Sequence, residues 1–564
     1  MNTPRVIQKA LAGKVPSRDG YLHGSELRIM FLGAALALAL ITPSAVFAEE
    51  SKANKSEFVP SMLYLGLPRP LDGDDRYFLA QNPTGATDTP PKPSSEETPA
   101  KPKKPLRFEE TKAGKSYLLP AGEIVGFNIL LNRFNYYFVD KEVYGVTYHT
   151  VRENLTATWV VDTDPFAVNQ FMHPYQGSIY YGLARSTGLD YWESLGYTLG
   201  GSWLWEIAGE TGPPSINDLV TTGFGGTFLG EPLFRMASML LEGGGETPGF
   251  WRELGAAAIA PSLGFTRLAF GDRFRSVFDS HDPAVYTYVR FGWNKVDNVF
   301  DATVSQNVKR DAATADFHMA YGLPGKAGYT YTRPFDYFDF EFTATTANVF
   351  ENIMSRGLLV GKEYEVGDTY RGVWGLYGSY DYISPQIFRV SSTAVSLGTT
   401  AQWWLSKTVA LQGSALGGLG YGAAGTIHGT EERDYHYGAT PQALLALRLM
   451  FGDAANLDLT ARSYYVSDVA STEDRGSEHI FRGDAAFTVR VHGPHAVTLK
   501  YNTSQRNAHY PDIADTHQTV TTLSLLYTYS FGETKFGAIE WRAADESSID
   551  QSIRDASHAG EPKR

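Results

Sequence analysis

The sequence predicts an α+β protein in which an apolar helical module precedes an antiparallel transmembrane β-barrel of roughly 12 strands. Apolar residues recur at helical spacing up to about residue 280 and at every second position from about residue 285. The composition agrees with a folded protein of this kind, because 43% of the 564 residues are apolar and only 20% are charged. The net charge of −13 argues against nucleic acid as a partner, and the absence of Cys excludes disulfides and thiolate metal sites.

Residues 1–48 have the organisation of a signal peptide. Arg28 precedes an uncharged apolar run from Ile29 to Ile41, and small residues lead to a cleavage site after Ala48. The run is too short to span a membrane comfortably. No Cys follows the cleavage site, which argues against a lipoprotein anchor. We therefore expect export, with residues 1–48 removed.

Residues 49–105 are predicted to be a tail and a Pro-rich linker. The second half, residues 83–105, consists mainly of Pro, Thr, Ser, Lys and Glu. Such a composition cannot bury a core and favours an extended, solvated chain. The linker therefore separates the N-terminal export signal from the folded part of the chain.

Residues 106–280 are predicted to form the helical module. The candidate helices are Gly122–Phe138, 166–187 with a bend at Pro174, 190–209, Gly226–Leu241 and Gly249–Ala260. They are apolar around most of their circumference, so each must be buried on several sides.

Residues 281–541 are predicted to form the barrel, followed by a tail at 542–564. Clear alternation of apolar and polar residues marks 285–293, 338–345, 497–502 and 521–531, and 536–541 is a further candidate strand. A soluble β-sandwich would turn the apolar rows inward, whereas a membrane barrel turns them outward. Aromatic residues near strand ends, and long polar connections at 427–437 and 468–480 beside a tight turn at 492–494, favour the barrel.

Ionisable side chains concentrate between residues 159 and 235, on helices that are otherwise apolar. Ser202, Glu206 and Glu210 follow one another at four-residue spacing and therefore share one face of a helix. Since buried ionisable groups must be paired, hydrogen-bonded or neutral, we expect one polar centre shared by several helices. The simplest interpretation is a structural polar core in which these groups satisfy one another.

A hydrolytic site is the chemical alternative. In it His173 is the general base, Glu206 or Asp218 orients the imidazole, and Ser178 or Ser202 is the nucleophile. The candidate ligand-binding residues are Asn169, Arg185, Ser202, Glu210, Glu231 and Arg235. The spacing of His and carboxylates lacks the pairs typical of di-iron and zinc sites, so neither a metal nor a cofactor is expected.

A set of ordered motifs over residues 121–280 resembles a bacterial family known as domain of unknown function 3943. The motifs are Asn169-x3-His173-Pro174, Gly201-Ser202-x2-Trp205-Glu206, Pro214-Ser215-x2-Asp218 and Gly225-Gly226-x3-Gly230-Glu231. The resemblance implies an envelope protein with a helical module and no established reaction.

These observations together predict an outer-membrane β-barrel protein with a helical module on the periplasmic side or filling the lumen, in an envelope structural or transport role. Outer-membrane lipid and the barrel assembly machinery are its expected partners. Two alternatives remain at this stage. One is a lipid-active hydrolase centred on His173, and the other is a soluble periplasmic β-sandwich that binds a ligand.

Overall fold

The computed structural model describes residues 114–162, 164–245, 248–274, 277–301, 310–428, 433–470, 475–531 and 535–541. The expected signal peptide, the linker at 49–105 and the tail at 542–564 lie outside the described residues.

Twelve antiparallel strands in the described part of the chain form a closed barrel, in which each strand pairs with its sequence neighbours and β1 pairs with β12. The strands are β1 (Val285–Asp301), β2 (Asp311–Tyr321), β3 (Phe338–Thr345), β4 (Asn352–Val366), β5 (Tyr370–Ile383), β6 (Arg389–Trp404), β7 (Val409–Gly425), β8 (Tyr435–Phe451), β9 (Ala455–Val466), β10 (Ser477–His492), β11 (His495–His509) and β12 (Thr516–Phe531). The closed sheet confirms the predicted barrel and is incompatible with the β-sandwich alternative, which requires two separate sheets.

The two ends of the barrel differ in their connections. At the end where β1 begins and β12 ends, short turns at 367–369, 405–408, 452–454 and 493–494 join the strands, together with one longer loop at 322–337. We call this the short-turn end. The opposite end, here the long-loop end, carries mostly longer connections, such as 426–434 and 467–476. This contrast agrees with the predicted tight turn near 492–494 and the predicted long connections.

The apolar rows of the strands point outward and the polar rows point into the lumen. On β1 the side chains of Phe291 and Trp293 are exposed, whereas that of Arg290, which precedes Phe291 and points to the opposite face, is buried. Arg290 reaches across the lumen, and its Nη2 lies 3.4 Å from Oδ2 of Asp458 on β9. The outer wall carries an apolar belt of exposed side chains, which includes Phe291, Trp293, Trp374, Leu376, Leu397, Leu419, Leu445, Phe487, Val489, Val497, Leu499, Leu523 and Leu525.

Nine α-helices precede the barrel in the described residues. They are α1 (Leu118–Phe138), α2 (Tyr148–Asn154), α3 (His173–Ser186), α4 (Tyr191–Ala208), α5 (Ile216–Val220), α6 (Gly226–Glu242), α7 (Phe250–Ile259), α8 (Pro261–Ala269) and α9 (Gly271–Phe274). Among the described helices, none combines the length and the apolar character needed to cross a membrane.

The local sequence explains how individual helices begin. Asp190 starts α4 because its carboxylate accepts from the backbone N–H of Glu193, while the Glu193 carboxylate accepts from the N–H of Asp190. Pro174 lies in the first turn of α3, where the missing N–H has no helical partner to lose. A π-helical turn, Val168–Met172, precedes α3 and ends two residues before Pro174, where the sequence predicts a bend.

The helical module packs against the outer wall of the barrel, so the prediction that it fills the lumen is wrong. Ser355 Oγ on β4 donates to the Phe228 carbonyl of α6 at 2.6 Å, and Tyr380 on β5 donates its hydroxyl to the Gln170 carbonyl at 2.6 Å. Both strand residues point away from the lumen. Gly378 gives the Phe228 ring room on this wall, because a Cβ there would lie 2.5 Å from it. The reason is chemical: charged side chains line the lumen, whereas the outward rows offer the apolar helices an apolar partner.

Residues 535–541, which we call the C-terminal plug, are not a further strand. They lie inside the barrel mouth at the short-turn end, where Ile539 O accepts from Gln402 Nε2 at 2.7 Å and from Trp404 Nε1 at 3.0 Å. Trp541 is buried and donates its Nε1–H to the Asp368 carbonyl of the β4–β5 turn at 2.8 Å. The prediction of a strand is wrong because β1 and β12 already pair with each other, so closure leaves no edge for another strand.

Candidate functional site

The predicted site residues do not share one polar centre. Eight of the ten separate into two clusters on the barrel side of the helical module, and Ser178 and Ser202 belong to neither. The arginine cluster lies towards the short-turn end and consists of Arg185, Glu231, Arg235 and Asp336. The carboxylate cluster lies against the long-loop end of β8 and consists of Asp162, Asn169, His173, Glu206, Glu210, Asn217 and Asp218, with Tyr435 and Tyr437 of the wall. The single centre expected from the sequence is therefore corrected. The reason is that α3 and α6 run along the barrel wall, so their two ends meet different parts of it.

Glu231 is the centre of the arginine cluster. Its two carboxylate oxygens accept from Arg185 at 2.8 and 3.1 Å, and Oε1 also accepts from Arg235 Nε at 2.7 Å. Tyr181 donates its hydroxyl to Oε2 at 2.7 Å. Arg235 then extends to the 322–337 loop, where its Nη1 lies 3.0 Å from Asp336 Oδ1. The cluster therefore joins α3 and α6 to the barrel.

Electrostatics keep Glu231 ionised although it is fully buried. Burial alone would raise its pKa, but the guanidinium groups of Arg185 and Arg235 outweigh burial and lower the pKa to about 2. Since both arginines already bind this carboxylate, an anionic ligand at Arg185 or Arg235 would have to compete with it. The geometry is that of a paired structural network.

Asn217 organises the carboxylate cluster. Its Nδ2 donates to Asp218 Oδ1 at 3.0 Å and to the Tyr437 hydroxyl at 2.9 Å, and lies 3.3 Å from Asp162 Oδ1. Asn169 Nδ2 likewise donates to Asp162 Oδ1 at 2.5 Å and lies 3.1 Å from the Tyr435 hydroxyl. Two asparagines thus connect helix-module carboxylates to tyrosines on the outer barrel wall.

His173 contacts no serine in this arrangement. Its Nδ1 lies 3.1 Å from Thr222 Oγ1, and its Nε2 lies 4.0 Å from Asp218 Oδ1. Ser178 Oγ instead donates to the Tyr175 carbonyl of the same helix at 2.6 Å, and Ser202 Oγ lies 3.5 Å from the Asp218 carbonyl. The structure brings His173 near Asp218 but pairs it with the Thr222 hydroxyl and with neither predicted nucleophile, and the catalytic roles of the predicted residues stay predictions.

Three carboxyl groups of this cluster, those of Glu206, Glu210 and Asp218, are easier to protonate than ordinary ones. Burial raises the pKa of Glu206 well above its usual value, and the neighbouring charge of Asp218 adds to the increase. Burial raises the pKa of Asp218 well above its usual value, with Asp162 adding to it. Burial also raises the pKa of Glu210 to about 7. The Ser215 N–H donates to Glu206 Oε2 at 2.8 Å, and this hydrogen bond only partly offsets the increase in the pKa of Glu206.

Access to the carboxylate cluster is restricted. His173, Glu206 and Asp218 are 6%, 7% and 2% exposed. Of the cavities described in the structure, the larger has a volume of about 90 Å³ and lies on the other side of the wall, in the lumen. In the ranges that the structure describes, no group of three or more His, Asp or Glu side chains is arranged to hold a metal ion. The geometry therefore favours a buried polar core over an open active site.

Sequence reasoning missed the residues of the barrel wall. Tyr435 and Tyr437 follow the strand alternation, and tyrosines near a strand end are equally typical of an interfacial girdle. Asn217 lies within a recognised motif but was assigned no role. Gln170, whose Nε2 donates to the Tyr437 hydroxyl at 2.8 Å, had no distinguishing signal at all.

The fold and the belt define the class of protein. A closed antiparallel barrel with an apolar outer belt, a charged lumen and short turns at one end is a transmembrane β-barrel of the outer-membrane type. Residues 158–262 match the family model described as "Domain of unknown function (DUF3943)", which confirms the resemblance in the helical module. Every predicted site residue lies inside this match. No curated protein matches the chain.

Among solved structures, the chain is similar to two porins and a channel. The KdgM porin has 5% identity and a TM-score of 0.21, with 44% of this chain and 99% of that chain covered. The NanC porin has 7% identity and a TM-score of 0.22, covering 42% and 98%. An outer-membrane channel from Pseudomonas putida F1 has 9% identity and a TM-score of 0.22, covering 44% and 96%.

Proposed function

We propose that this protein is an outer-membrane channel for small charged solutes, and that the C-terminal plug closes its inner mouth. The observation that carries the proposal is the lumen itself, which is lined by charged side chains around a cavity of about 90 Å³ and which, among the residues that the structure describes, the C-terminal plug obstructs at the short-turn end. The lining residues include Arg290, His318, Asp339, Glu341, Arg356, Arg448, Asp458, Arg462, Asp484 and Lys500. A barrel that served only as a scaffold would gain stability from an apolar filling.

Ion pairs across the lumen set its width. Lys500 Nζ on β11 lies 3.0 Å from Asp316 Oδ2 on β2, and Arg462 Nη2 on β9 lies 3.6 Å from Glu341 Oε2 on β3. Cationic and anionic side chains both line the wall, so a passing ion of either sign can exchange one partner for another. We therefore expect a small conductance.

The plug is held by hydrogen bonds and by the burial of Phe536 and Trp541, and these contacts can break without unfolding the wall. Besides the bonds to Ile539, Gln412 Nε2 donates to the Gly537 carbonyl at 3.3 Å. The Trp541 ring packs against Trp404 in an edge-to-face arrangement, with 6.3 Å between ring centroids.

The proposal also includes export behind residues 1–48 with cleavage after Ala48, and insertion by the barrel assembly machinery.

Single-channel recording in planar lipid bilayers tests the proposal. We expect the full chain to be mostly closed and Trp541→Ala to open more often, because the plug loses its largest buried side chain. Trp374→Ala, which removes an exposed ring of the outer belt, is the matched control and should leave gating unchanged. Heat-modifiable migration on gels verifies that each barrel is folded. If both the full chain and the folded Trp541→Ala variant conduct no ions, the protein is not a channel.

A further inference from the structure

Helix α1 exposes apolar side chains and buries polar ones, which is the reverse of the usual amphipathic helix. Three of its five buried residues are asparagines, Asn128, Asn132 and Asn135, and the other two are Pro120 and Ile124. Asn128 Nδ2 donates to the Gly201 carbonyl at 3.3 Å, and Asn132 Nδ2 donates to the Gly209 carbonyl at 2.8 Å. Its outer face is apolar, with exposed Leu118, Val125, Ile129, Leu130, Phe134, Tyr137 and Phe138. A helix surrounded by water shows the opposite distribution.

Helix α8 extends this apolar surface. Thr266 Oγ1 on α8 lies 3.3 Å from Glu123 Oε1 on α1, so the two helices are neighbours. Phe265 and Leu268 of α8 are exposed, Leu268 by 88%. Further exposed rings of the module are Trp192, Trp203, Phe250 and Trp251. Many exposed apolar side chains on neighbouring helices mark contact with a membrane or with another protein.

The position of the module on the barrel identifies the occupant. The outward row of β5 begins with Trp374 and Leu376, which are exposed members of the apolar belt, and continues directly into Gly378 and Tyr380, which the helices cover. On β3, Phe338 and Phe340 also point outward and are buried by the module. The helices therefore lie against the same apolar wall that, a few residues away, faces acyl chains. Lipid next to the barrel must also lie next to the helices.

We propose that the outer faces of α1 and α8 bind the acyl chains of the bilayer that surrounds the barrel, so that the helical module lies within the membrane beside the barrel wall. The helices need not span the bilayer alone, because the wall covers their inner side. The buried asparagines then bond to backbone carbonyls inside the module, where no water is available. This inference concerns the surface of the module and does not depend on whether the lumen conducts ions.

The absence of Cys from the natural chain allows a direct test with single-Cys variants of the full chain. Leu130→Cys on α1 and Leu268→Cys on α8 are labelled with bimane and reconstituted in phosphatidylcholine vesicles brominated on the acyl chains. Leu525→Cys, in the belt on β12, is the lipid reference. Gln505→Cys, an exposed outward position of β11 beyond the belt, is the aqueous reference. Only variants that retain heat-modifiable migration are compared.

We expect brominated lipid to quench the labels at 130 and 268 as strongly as the label at 525, and several-fold more than the label at 505. Iodide in the buffer should quench in the reverse order. Labels at 130 and 268 that behave like the label at 505 would show that the surface faces water. Labels shielded from both quenchers would show that a protein, such as a second copy, covers it. Either of these results overturns the proposal.

Discussion

The two polar clusters of the helical module accommodate buried carboxyl groups in opposite ways. In the arginine cluster, two guanidinium groups surround one carboxylate and hold the pKa of Glu231 down at about 2. In the carboxylate cluster, acidic groups neighbour one another, and burial raises the pKa values of Glu206, Glu210 and Asp218. One site is stable because it is charged and paired, and the other because it can be neutral and hydrogen-bonded.

The two clusters should therefore differ in how well they tolerate the substitution of one residue. A charged buried network depends on every partner, since removing one leaves another charge unpaired. A neutral network accepts an amide in place of a protonated carboxyl, because the shape and most hydrogen bonds are kept. Substitution and pH should therefore separate the clusters, although both attach the module to the same barrel.

The largest effect is expected from Glu231→Gln. The variant leaves Arg185 and Arg235 buried without their shared carboxylate, which should lower the free energy of unfolding by ~3–5 kcal/mol. Urea unfolding in detergent micelles, followed by tryptophan fluorescence, measures it.

Glu153→Gln is the matched control for this variant. Glu153 Oε2 lies 3.0 Å from His149 Nδ1 in an exposed pair of the same module, and its loss should cost about 0.5 kcal/mol or less. A Glu231→Gln variant as stable as Glu153→Gln would mean that the arginine cluster does not hold the module to the barrel.

The second-largest effect concerns pH: the contributions of the two clusters to the free energy of unfolding should change with pH in opposite directions. The pKa of Glu210 rises from 4.5 to about 7 on folding, so folded protein keeps a proton that unfolded protein releases. The free energy of unfolding should therefore fall as pH rises from 4.5 to 7, by up to ~1.4 kcal/mol per pH unit. Glu231, with its pKa lowered to about 2, loses its contribution as pH falls below 4.5.

Unfolding of the natural chain and of Glu210→Gln across this pH range measures the first of these slopes. The amide can still accept from Trp205 Nε1, which lies 3.0 Å from Glu210 Oε1. Because burial also raises the pKa values of Glu206 and Asp218, the variant should make the slope between pH 4.5 and 7 shallower by up to ~1.4 kcal/mol per pH unit without abolishing it, and should keep the loss at acidic pH. An unchanged slope in Glu210→Gln would assign the titration to another group.

The barrel was largely predictable because strand alternation is a local signal. The rows around 285–293, 338–345 and 521–531 fall inside β1, β3 and β12, and their apolar sides face outward as expected. The i,i+4 pair of Glu231 and Arg235 was equally local.

The position of the module was not predictable from such signals. Its contact with the wall depends on Phe228 meeting Gly378, two residues far apart in sequence, and a glycine has no side chain to mark the contact. The periodicity of apolar residues also does not distinguish helices that fill a lumen from helices that pack on an outer wall. The plug was misassigned for a similar reason, since closure of β1 onto β12 is a property of the whole sheet.

The smallest effect, and the one that tests the carboxylate cluster at the barrel wall, is expected from Tyr437→Phe. The Tyr437 hydroxyl accepts from Asn217 Nδ2 at 2.9 Å and from Gln170 Nε2 at 2.8 Å, so its removal leaves two buried amides without this acceptor and should cost ~1–2 kcal/mol. Tyr421→Phe removes only a 3.5 Å contact to the Ala470 carbonyl and serves as the control. The rings of Tyr421 and Tyr437 stack with 5.4 Å between their centroids. Because both variants keep these rings, a difference in urea unfolding isolates the hydroxyl. Equal stability would show that the asparagines, and not the wall, satisfy this cluster.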